Sequence, residues 1–423
     1  MKYLHLVSSF PALTETFVLR EVRQMQQVGC DVLLGQLRPT GDRPTAPEFE
    51  DLRPWVVQAK LLGLSALAGA LFFLFKKPKL TWRYIKLVLA SFPDMTSLFK
   101  LGYLLLVSMD LAYRLRHSSV EHTRGHHLHS EAVSAMFIAG FLGLPYSFTC
   151  HTVKTYYPPS ILVEVARGAA FVVADTFQTR DFLTDLCGDA RRVHLIRNAV
   201  VLSEFPMRDQ KAPSELPTIL AVGRLDQKKG FHILLSACSE LNREGVPFHC
   251  VIVGDGDEWE SLHELKKLLG INEKVQMVGN RDFSEIQLWY EQATLLVVPS
   301  VVAADGSTDG LPTVVIEAFA RGAPVIGSST AGIPEVIRHG VNGFVVPAGV
   351  SSELASRIKE LLSNEDLCRL FATQARFTAE LDFDLDRNVQ ALARLMIGEV
   401  LERTVISRSM AISSPSLEHK HTT

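Results

Sequence analysis

The sequence predicts an α/β protein with two doubly wound domains that face each other across a cleft. At 423 residues the chain is longer than one ordinary hydrophobic core requires, so two domains are expected. Short apolar runs alternate with helical patterns, which is typical of a parallel sheet flanked by helices. A polar stretch with three prolines at 200–217 separates two such alternating series.

The first series is assigned to residues 1–200. It opens with an apolar strand at Tyr3–Val7, followed by an amphipathic helix that Gly29 ends and a second strand at Val32–Leu37. This β-loop-α-β unit is typical of a doubly wound domain. Residues 38–57 are polar and rich in proline, and we expect them to form a loop.

The second series is assigned to residues 218–385. Residues 386–403 form a long helical pattern, and this last helix is expected to return to the first domain. Residues 404–423 are rich in serine and lack periodicity, so we expect a disordered tail.

Composition narrows the classes of function. The chain has 43 basic and 46 acidic residues, so it has no overall positive field that would attract nucleic acid. Its six cysteines show no C-x-x-C spacing and lie mostly in apolar runs, as expected of small buried side chains in a reducing cytosol. The first residues form a strand pattern and lack the features of a secretory signal, which favours a cytoplasmic location.

An apolar insertion interrupts the first domain at about 58–116. Leu61–Phe75 is almost wholly apolar and is followed by Lys76, Lys77 and Lys79. It is shorter than the roughly 20 residues that a membrane-spanning helix needs. Two interpretations stay open: a helix in the membrane interface, which would bring about 58–107 to a membrane surface, or a buried helical hairpin.

One strand, loop, helix and strand unit carries the most chemistry. The apolar run Leu295–Val298 ends in a polar loop, and a helix is predicted from Thr313 until Gly322 ends it. A helix N-terminus offers unpaired N–H groups to an anion. Two carboxylates, Asp309 and Glu317, flank this terminus. Asp309 alone also fits a structural role, as a loop or N-cap acid. Glu317 lies on an apolar helix face and must find hydrogen-bond donors, which ligand hydroxyls would supply.

Other strand ends supply complementary groups. Ligands of open parallel sheets bind beyond the carboxyl ends of the strands. Arg224 and Lys229 lie in the glycine-containing loop after one strand of the second domain, and His151 follows a strand of the first. Solvated loop charges or a strand-end histidine would explain each separately. Together they favour a cleft with a nucleotide on one side and an acceptor on the other.

The motifs around these residues resemble a known family. Gly223–Gly230 reads G-R-L-D-Q-K-K-G, and Asp309–Val325 begins D-G-L-P and ends E-A-F-A-R-G-A-P-V. They resemble the retaining glycosyltransferases of the two-Rossmann (GT-B) fold with an E-x7-E motif, which is D-x7-E here. In the first domain, S-S-F-P-A-L-T-E-T-F-V at 8–18 and F-T-C-H at 148–151 are similar to bacterial exopolysaccharide and colanic acid biosynthesis glycosyltransferases.

The resemblance implies roles for particular residues. His151 and Asp309 would be catalytic, and Ser8, Ser9, Thr14 and Glu15 would border the acceptor or phosphate entrance. The residues implied in donor binding are Arg224, Lys229, Gly310, Leu311, Pro312, Thr313 and Glu317.

The resemblance also implies an activity. The chain would move a sugar, with retention, from a nucleotide-sugar donor to a glycan or lipid-linked acceptor, without metal or cofactor, at the inner face of the plasma membrane. Alternatives are a non-catalytic nucleotide-sugar-binding scaffold and a sugar-nucleotide epimerase of the same fold. Asp309 is one methylene shorter than the family's glutamate, and Lys154 stands where relatives often carry Asp, so donor or acceptor choice could differ.

Overall fold

The chain folds into two parallel sheets, each flanked by helices. The computed structural model describes residues 1–11, 16–39, 47–61, 63–153, 157–207, 216–304 and 306–412. The arrangement of the two sheets confirms the predicted α/β class with two doubly wound domains.

The first sheet has seven strands: β1 (Lys2–Val7), β2 (Asp31–Gln36), β3 (Val56–Gln58), β4 (His122–His126), β5 (Tyr146–Cys150), β6 (Phe171–Ala174) and β7 (Val193–Leu195). Their order across the sheet is β3-β2-β1-β4-β5-β6-β7. The helices that cover it are α1 (Thr16–Gln27), then, after the insertion, α5 (Ser130–Leu142), α6 (Pro159–Gly168) and α7 (Phe177–Cys187).

The second sheet has six strands: β8 (Thr218–Val222), β9 (His249–Val253), β10 (Val275–Met277), β11 (Leu295–Val298), β12 (Val325–Ser328) and β13 (Gly343–Val346). Their order is β10-β9-β8-β11-β12-β13. The helices around it are α8 (Phe231–Arg243), α9 (Trp259–Leu268), α10 (Phe283–Gln292), α11 (Thr313–Ala320), α12 (Ile333–Val336), α13 (Ser351–Ser363) and α14 (Glu365–Asp382).

Strand order reverses between β1 and β4 in the first sheet and between β8 and β11 in the second. Open α/β sheets bind ligands in the crevice beyond the strands at such a reversal. The topology therefore marks the loops after these four strands as the place to look for a site.

The last helix, α15 (Leu385–Ile412), returns to the first domain as predicted. Its buried side chains Val389, Leu392 and Met396 share a core with Val18 and Val22 of α1. The predicted end of this helix at 403 is wrong, because the backbone is helical to 412. No proline lies between Leu385 and Pro415 that would end the helix earlier. The remainder of the predicted disordered tail, 413–423, lies outside the described residues.

The expected loop at 38–57 is also wrong in its second half. Pro47–Trp55 forms a 3-10 helix, and β3 pairs with Leu34–Gln36 at the edge of the sheet. A strand of three residues is too short to show a period in the sequence, and its pairing with β2 stabilises it.

The apolar insertion is a three-helix unit: α2 (Leu64–Lys76), α3 (Pro78–Leu89) and α4 (Met95–Leu115). One stripe of α2 is buried, where the Phe73 ring stacks on Phe141 at 4.5 Å between centroids. A Cβ on Gly69 would lie 2.7 Å from the carbonyl oxygen of Met109, so α2 and α4 approach closely only because residue 69 is glycine.

The opposite stripe of α2 is exposed, and it comprises Leu64, Leu67, Leu71 and Phe75. The structure thus combines features of both interpretations of the insertion. Helix α4 is long and apolar enough to cross a membrane by length and composition alone, yet 56% of its most apolar window is buried in the protein. A core helix satisfies the same criterion.

The packing predicts unequal costs for two neighbouring phenylalanines. Phe73→Ala should reduce the free energy of unfolding by about 3–5 kcal/mol, because a buried ring leaves a cavity. Phe75→Ala should change it by less than about 0.5 kcal/mol, since its side chain is 82% exposed. Urea unfolding of both variants measures this, and equal costs would contradict the described packing.

Candidate active site

Loops that follow strands of both sheets line one cleft of about 540 Å³. Residues from both domains line it: Phe17, His127, His151, Thr152, Asp175, Asn198, Arg224, Lys228, Lys229, Ser307, Thr308, Asp309, Gly310, Leu311, Pro312 and Thr313. The cleft therefore holds His151 of the first domain and seven predicted residues of the second.

The two domains approach each other closely beside Asp309. A Cβ on Gly310 would lie 2.2 Å from the backbone oxygen of His151, and one on Gly332 would lie 2.6 Å from a methyl of Thr176. Glycine at 310 and 332 is what permits this approach. The backbone loop before α11 therefore lies directly against the loop after β5.

A cationic loop supplies the second domain's side of the cleft. Lys229 Nζ lies 2.8 Å from Asp309 Oδ2, and Lys228 Nζ lies 3.2 Å from Asp309 Oδ1. Burial raises the pKa of Asp309, but the two ammonium groups more than offset this and hold it below its usual value. Arg224 pairs with Asp226 at 3.0 Å and is largely exposed. Lys228 was not predicted, although the adjacent lysines at 228 and 229 were visible in the sequence.

The N-terminus of α11 opens toward the cleft, where Pro312 precedes its first turn. The residues from Gly310 to Thr313 line the cleft wall, and the first turn of a helix has N–H groups without intrahelical partners, which can bind an anion. The predicted phosphate-facing backbone is thus at the cleft.

Glu317 lies outside the residues that line the cleft. Its Oε2 accepts a hydrogen bond from the Tyr290 hydroxyl at 2.9 Å, and Arg20 of the first domain lies 4.0 Å from Oε1. These donors explain how an acid is accommodated on an apolar helix. Tyr290 and Arg20 were not predicted, since neither lies in a motif.

Of the predicted entrance residues, Ser8 and Ser9 are not among the residues that line the cleft. They directly follow β1, where the Ser8 carbonyl accepts a hydrogen bond from the Arg38 backbone N–H at 3.0 Å and Ser9 is buried. Thr14 and Glu15 lie outside the described residues, as does Lys154.

A buried histidine cluster supports the first domain's side. His151 Nδ1 lies 2.9 Å from Asp175 Oδ2, and His151 Nε2 lies 3.1 Å from His126 Nδ1. His126 Nε2 in turn lies 3.1 Å from Glu21 Oε1. Glu21 and His126 were not predicted from the sequence. The run R-G-H-H-L-H at 124–129 was the signal, but no period or motif connects it to a helix 100 residues earlier.

Part of this cluster has the residue types of a metal site. His5, Glu21 and His126 bring potential ligand atoms within 4.8 Å of one another. Arg124 Nε, however, lies 3.1 Å from Glu21 Oε1. A guanidinium that already pairs with this carboxylate would repel a metal cation, so the geometry fits a buried ion pair.

The lysine pair predicts a pH-dependent role for Asp309. Its lowered pKa means that the ionised carboxylate stabilises the fold at neutral pH, and that this contribution disappears as acid protonates the folded state. Asp309→Asn should therefore be less stable than the wild type at pH 7, and the difference should shrink below about pH 4. Urea unfolding between pH 3 and pH 7 measures it.

The matched control is Asp366→Asn, because the Asp366 side chain is 96% exposed. This variant should show no comparable change with pH. A difference between wild type and Asp309→Asn that stays constant across the range would contradict the Asp309 pairing.

Sequence comparison identifies the second domain. Residues 203–377 match the family model described as Glycosyl transferases group 1. A 214-residue segment is 31% identical to the amylovoran biosynthesis glycosyltransferase AmsK of Erwinia amylovora and covers 51% of each chain. A 207-residue segment is 31% identical to WcaL of Escherichia coli K12, whose name assigns it to colanic acid biosynthesis, and covers 48% of this chain and 51% of WcaL. The chain thus spans about half the length of these relatives.

Structural comparison extends over nearly the whole chain. The Anabaena protein Alr3699/HepE, solved in complex with UDP, superposes with a TM-score of 0.73 at 19% identity and covers 94% of this chain and 100% of its own. Sucrose-phosphate synthase from Thermosynechococcus elongatus superposes with a TM-score of 0.70 at 16% identity, with coverages of 96% and 100%. At these identities the likeness shows the fold. Residues 203–377 therefore match the Glycosyl transferases group 1 model, and the chain as a whole has the two-domain GT-B fold.

Proposed function

We propose that this chain is a retaining glycosyltransferase of exopolysaccharide or cell-surface glycan biosynthesis. It moves a sugar from a nucleotide-sugar donor to a hydroxyl of a glycan or lipid-linked acceptor. The observation that carries the proposal is the cleft itself, in which Lys228 and Lys229 face His151 across the loop that begins α11. The relatives AmsK and WcaL, named for exopolysaccharide pathways, support the substrate class.

Electrostatics favour a diphosphate at the cationic loop. Lys228, Lys229 and Arg224 supply fixed positive charges, and the α11 N-terminus adds N–H donors. Asp309 holds the two ammonium groups in place when no ligand is bound. A bound diphosphate would give these ammonium groups additional anionic partners.

The proposed reaction exchanges one bond to the anomeric carbon for another. The bond from this carbon to the phosphate oxygen breaks, and a bond to the acceptor oxygen forms on the same face. The acceptor hydroxyl's proton passes to the departing phosphate. Negative charge grows on that phosphate in the transition state, where the preorganised lysines and helix N–H groups stabilise it. These groups perform the role of a metal ion, so the proposal includes no metal.

The first test is a donor screen. Nucleotide release is measured with UDP- and GDP-sugars and lipid-linked or glycan acceptors, in the presence and absence of EDTA. We expect acceptor-dependent release that EDTA leaves unchanged and a product with the donor's anomeric configuration. Donor binding without release for every acceptor would favour the scaffold, and sugar isomerisation without acceptor would favour the epimerase.

Two variants test the assignment of the donor side. Lys229→Ala should lower kcat/KM at least 100-fold, because it removes a cation that lines the cleft. Glu317 lies outside the lining residues, so Glu317→Ala tests the donor contact that the family resemblance implies for it, and the same loss is expected. Lys267→Ala is the matched control, since Lys267 is an exposed lysine that pairs with Glu264 on α9. Turnover at the wild-type level in Lys229→Ala or Glu317→Ala would sink the donor-side assignment.

A lipid-linked acceptor places the enzyme at a membrane, and the insertion supplies a surface for it. The exposed α2 stripe, Leu64, Leu67, Leu71 and Phe75, includes side chains with 89% and 82% exposure at its two ends. Further large apolar side chains of the insertion are exposed: Trp82, Leu89, Phe92, Met95, Phe99 and Leu106.

Cations accompany this apolar surface. Lys76, Lys79, Lys86 and Lys100 are all exposed in the same insertion. Apolar side chains beside lysines are the combination that binds the surface of an anionic bilayer. We therefore propose that the insertion docks on anionic lipid, with the α2 stripe in the interface.

The test replaces exposed side chains and keeps the buried face. The triple variant Leu64→Glu, Leu67→Glu, Leu71→Glu should reduce sedimentation with phosphatidylglycerol vesicles more than tenfold. Each leucine that leaves water for the bilayer contributes about 1.5–3 kcal/mol to the binding free energy. Leu268→Glu is the control, as Leu268 is 84% exposed on the second domain. Binding of the triple variant at the wild-type level would contradict the proposal, as would a wild type that never sediments with these vesicles.

A further inference from the structure

A row of four hydrogen-bonded side chains crosses the carboxyl edge of the first sheet. It runs from Asp175 through His151 and His126 to Glu21, and we call it the carboxyl-edge row. Its three contacts measure 2.9 Å, 3.1 Å and 3.1 Å. Asp175 and His151 line the cleft, and Glu21 at the other end of the row is half-buried beside Arg124.

Strand order explains why these residues meet. Asp175 directly follows β6, His151 directly follows β5, and His126 is the last residue of β4. These three strands are consecutive neighbours and run parallel, so their carboxyl ends lie side by side. Glu21 reaches the end of the row from α1.

The row has more acceptors than two neutral histidines can satisfy. Its outer members are carboxylates, which only accept hydrogen bonds when ionised. Three hydrogen bonds therefore need three N–H groups, whereas two neutral imidazoles carry only two. With both carboxylates ionised, the histidine pair must carry one additional proton and one positive charge.

Glu21 is ionised, and its histidine neighbour is neutral. Burial raises the pKa of Glu21, but Arg124 and His126 more than offset it and hold this pKa well below its usual range. Burial lowers the pKa of His126 to about 4 against the opposing effect of Glu21, with Arg124 adding to the decrease. Neutral His126 thus donates through Nε2 to Glu21 and accepts through Nδ1 from His151. With Asp175 ionised, the hydrogen-bond count then assigns the additional proton to His151.

The other groups around His151 are consistent with this distribution. The His127 ring lies 4.9 Å away between centroids, and burial lowers its pKa well below the usual value, so it adds no charge. Phe17 packs edge-on at 5.1 Å, and Asn198 Nδ2 lies 3.4 Å from His151 Nδ1. An amide nitrogen can only donate a hydrogen bond, so the acceptor of the Nδ1 proton is the Asp175 carboxylate at 2.9 Å.

Charges that face this site from other elements are also paired. Across the cleft, Lys228 and Lys229 share Asp309, and Arg224 pairs with Asp226. Behind His126, the His5 ring stacks at 5.0 Å, and burial lowers the pKa of His5 well below the usual value.

We propose that His126 and Glu21 are positioning residues that hold His151 as an imidazolium at the cleft. The inference rests on the proposed function for its consequence: a fixed positive charge faces the lysines across the space where the donor would bind. An imidazolium has no lone pair and cannot remove the acceptor's proton. This agrees with a reaction in which the departing phosphate takes that proton.

The protonation state can be read without any activity. Full-length protein labelled with [15N]histidine is compared with His151→Gln to assign the ring signals at pH 7.5. We expect both ring nitrogens of His151 at the position of a protonated imidazolium in the wild type. One protonated and one bare nitrogen would overturn the proposal. Because this measurement needs no substrate, failure of the donor screen would leave it intact.

Substitutions at His126 test the positioning role. His126→Leu removes the acceptor of the His151 Nε2 proton, so His151 should become neutral at a lower pH. Its imidazolium signal at pH 7.5 should weaken, and the alkaline fall in kcat should move to lower pH. His126→Asn places an acceptor oxygen near the former Nδ1 and should restore both readouts most of the way.

The matched control is His122→Leu, which removes a fully buried histidine from the same strand but outside the row. It should lower stability as His126→Leu does, yet leave the His151 signal and the pH profile unchanged. A His126→Leu variant with the wild-type His151 spectrum would overturn the positioning role. An equal shift of the pH profile in His122→Leu would also overturn it.

Discussion

The close approach of two loops, at Gly310 and His151, is the constraint on which the site depends. The backbone oxygen of His151 occupies the space that a side chain on residue 310 would need. Contacts nearby hold the same closure: Glu335 of the second domain accepts hydrogen bonds from the backbone N–H groups of Phe177 and Gln178 at the start of α7. This closure brings the cationic loop of the second domain and the carboxyl-edge row of the first domain to opposite sides of one cleft.

Three carboxylates at or beside the cleft each have a hydrogen-bond donor or cation as a partner. Asp309 pairs with two lysines, Asp175 with His151, and Glu317 with Tyr290 and, at longer range, Arg20. A buried carboxylate without donors would cost several kcal/mol, so these pairs offset the free-energy cost of burying the acids. They also hold the cations in position before a ligand arrives. Preorganisation of this kind is what electrostatic catalysis of phosphate departure needs.

Helix α2 of the insertion has one buried apolar stripe and one exposed apolar stripe. The stripe of α2 that contains Gly69 and Phe73 packs on α4 and α5, while the stripe that contains Leu64 and Phe75 points outward. The sequence suggested both a buried hairpin and a surface helix because nearly every residue of α2 is apolar. Without polar residues on either stripe, no amphipathic period could show which one faces the protein.

Local pattern and motif determined much of this protein. Apolar runs separated by helical periods predicted two parallel sheets, Gly29 and Gly322 predicted helix ends where the backbone adopts positive φ, and the loop motifs brought Asp309, Lys229 and His151 to notice. These features depend on residues close together in the chain. Only the tertiary structure decided that Lys228 shares Asp309, that Glu317 lies behind the cleft wall, and that Glu21 and His126 stand behind His151. Such contacts join residues from separate strands and helices, and their distances are set by strand order and packing, which no local pattern encodes.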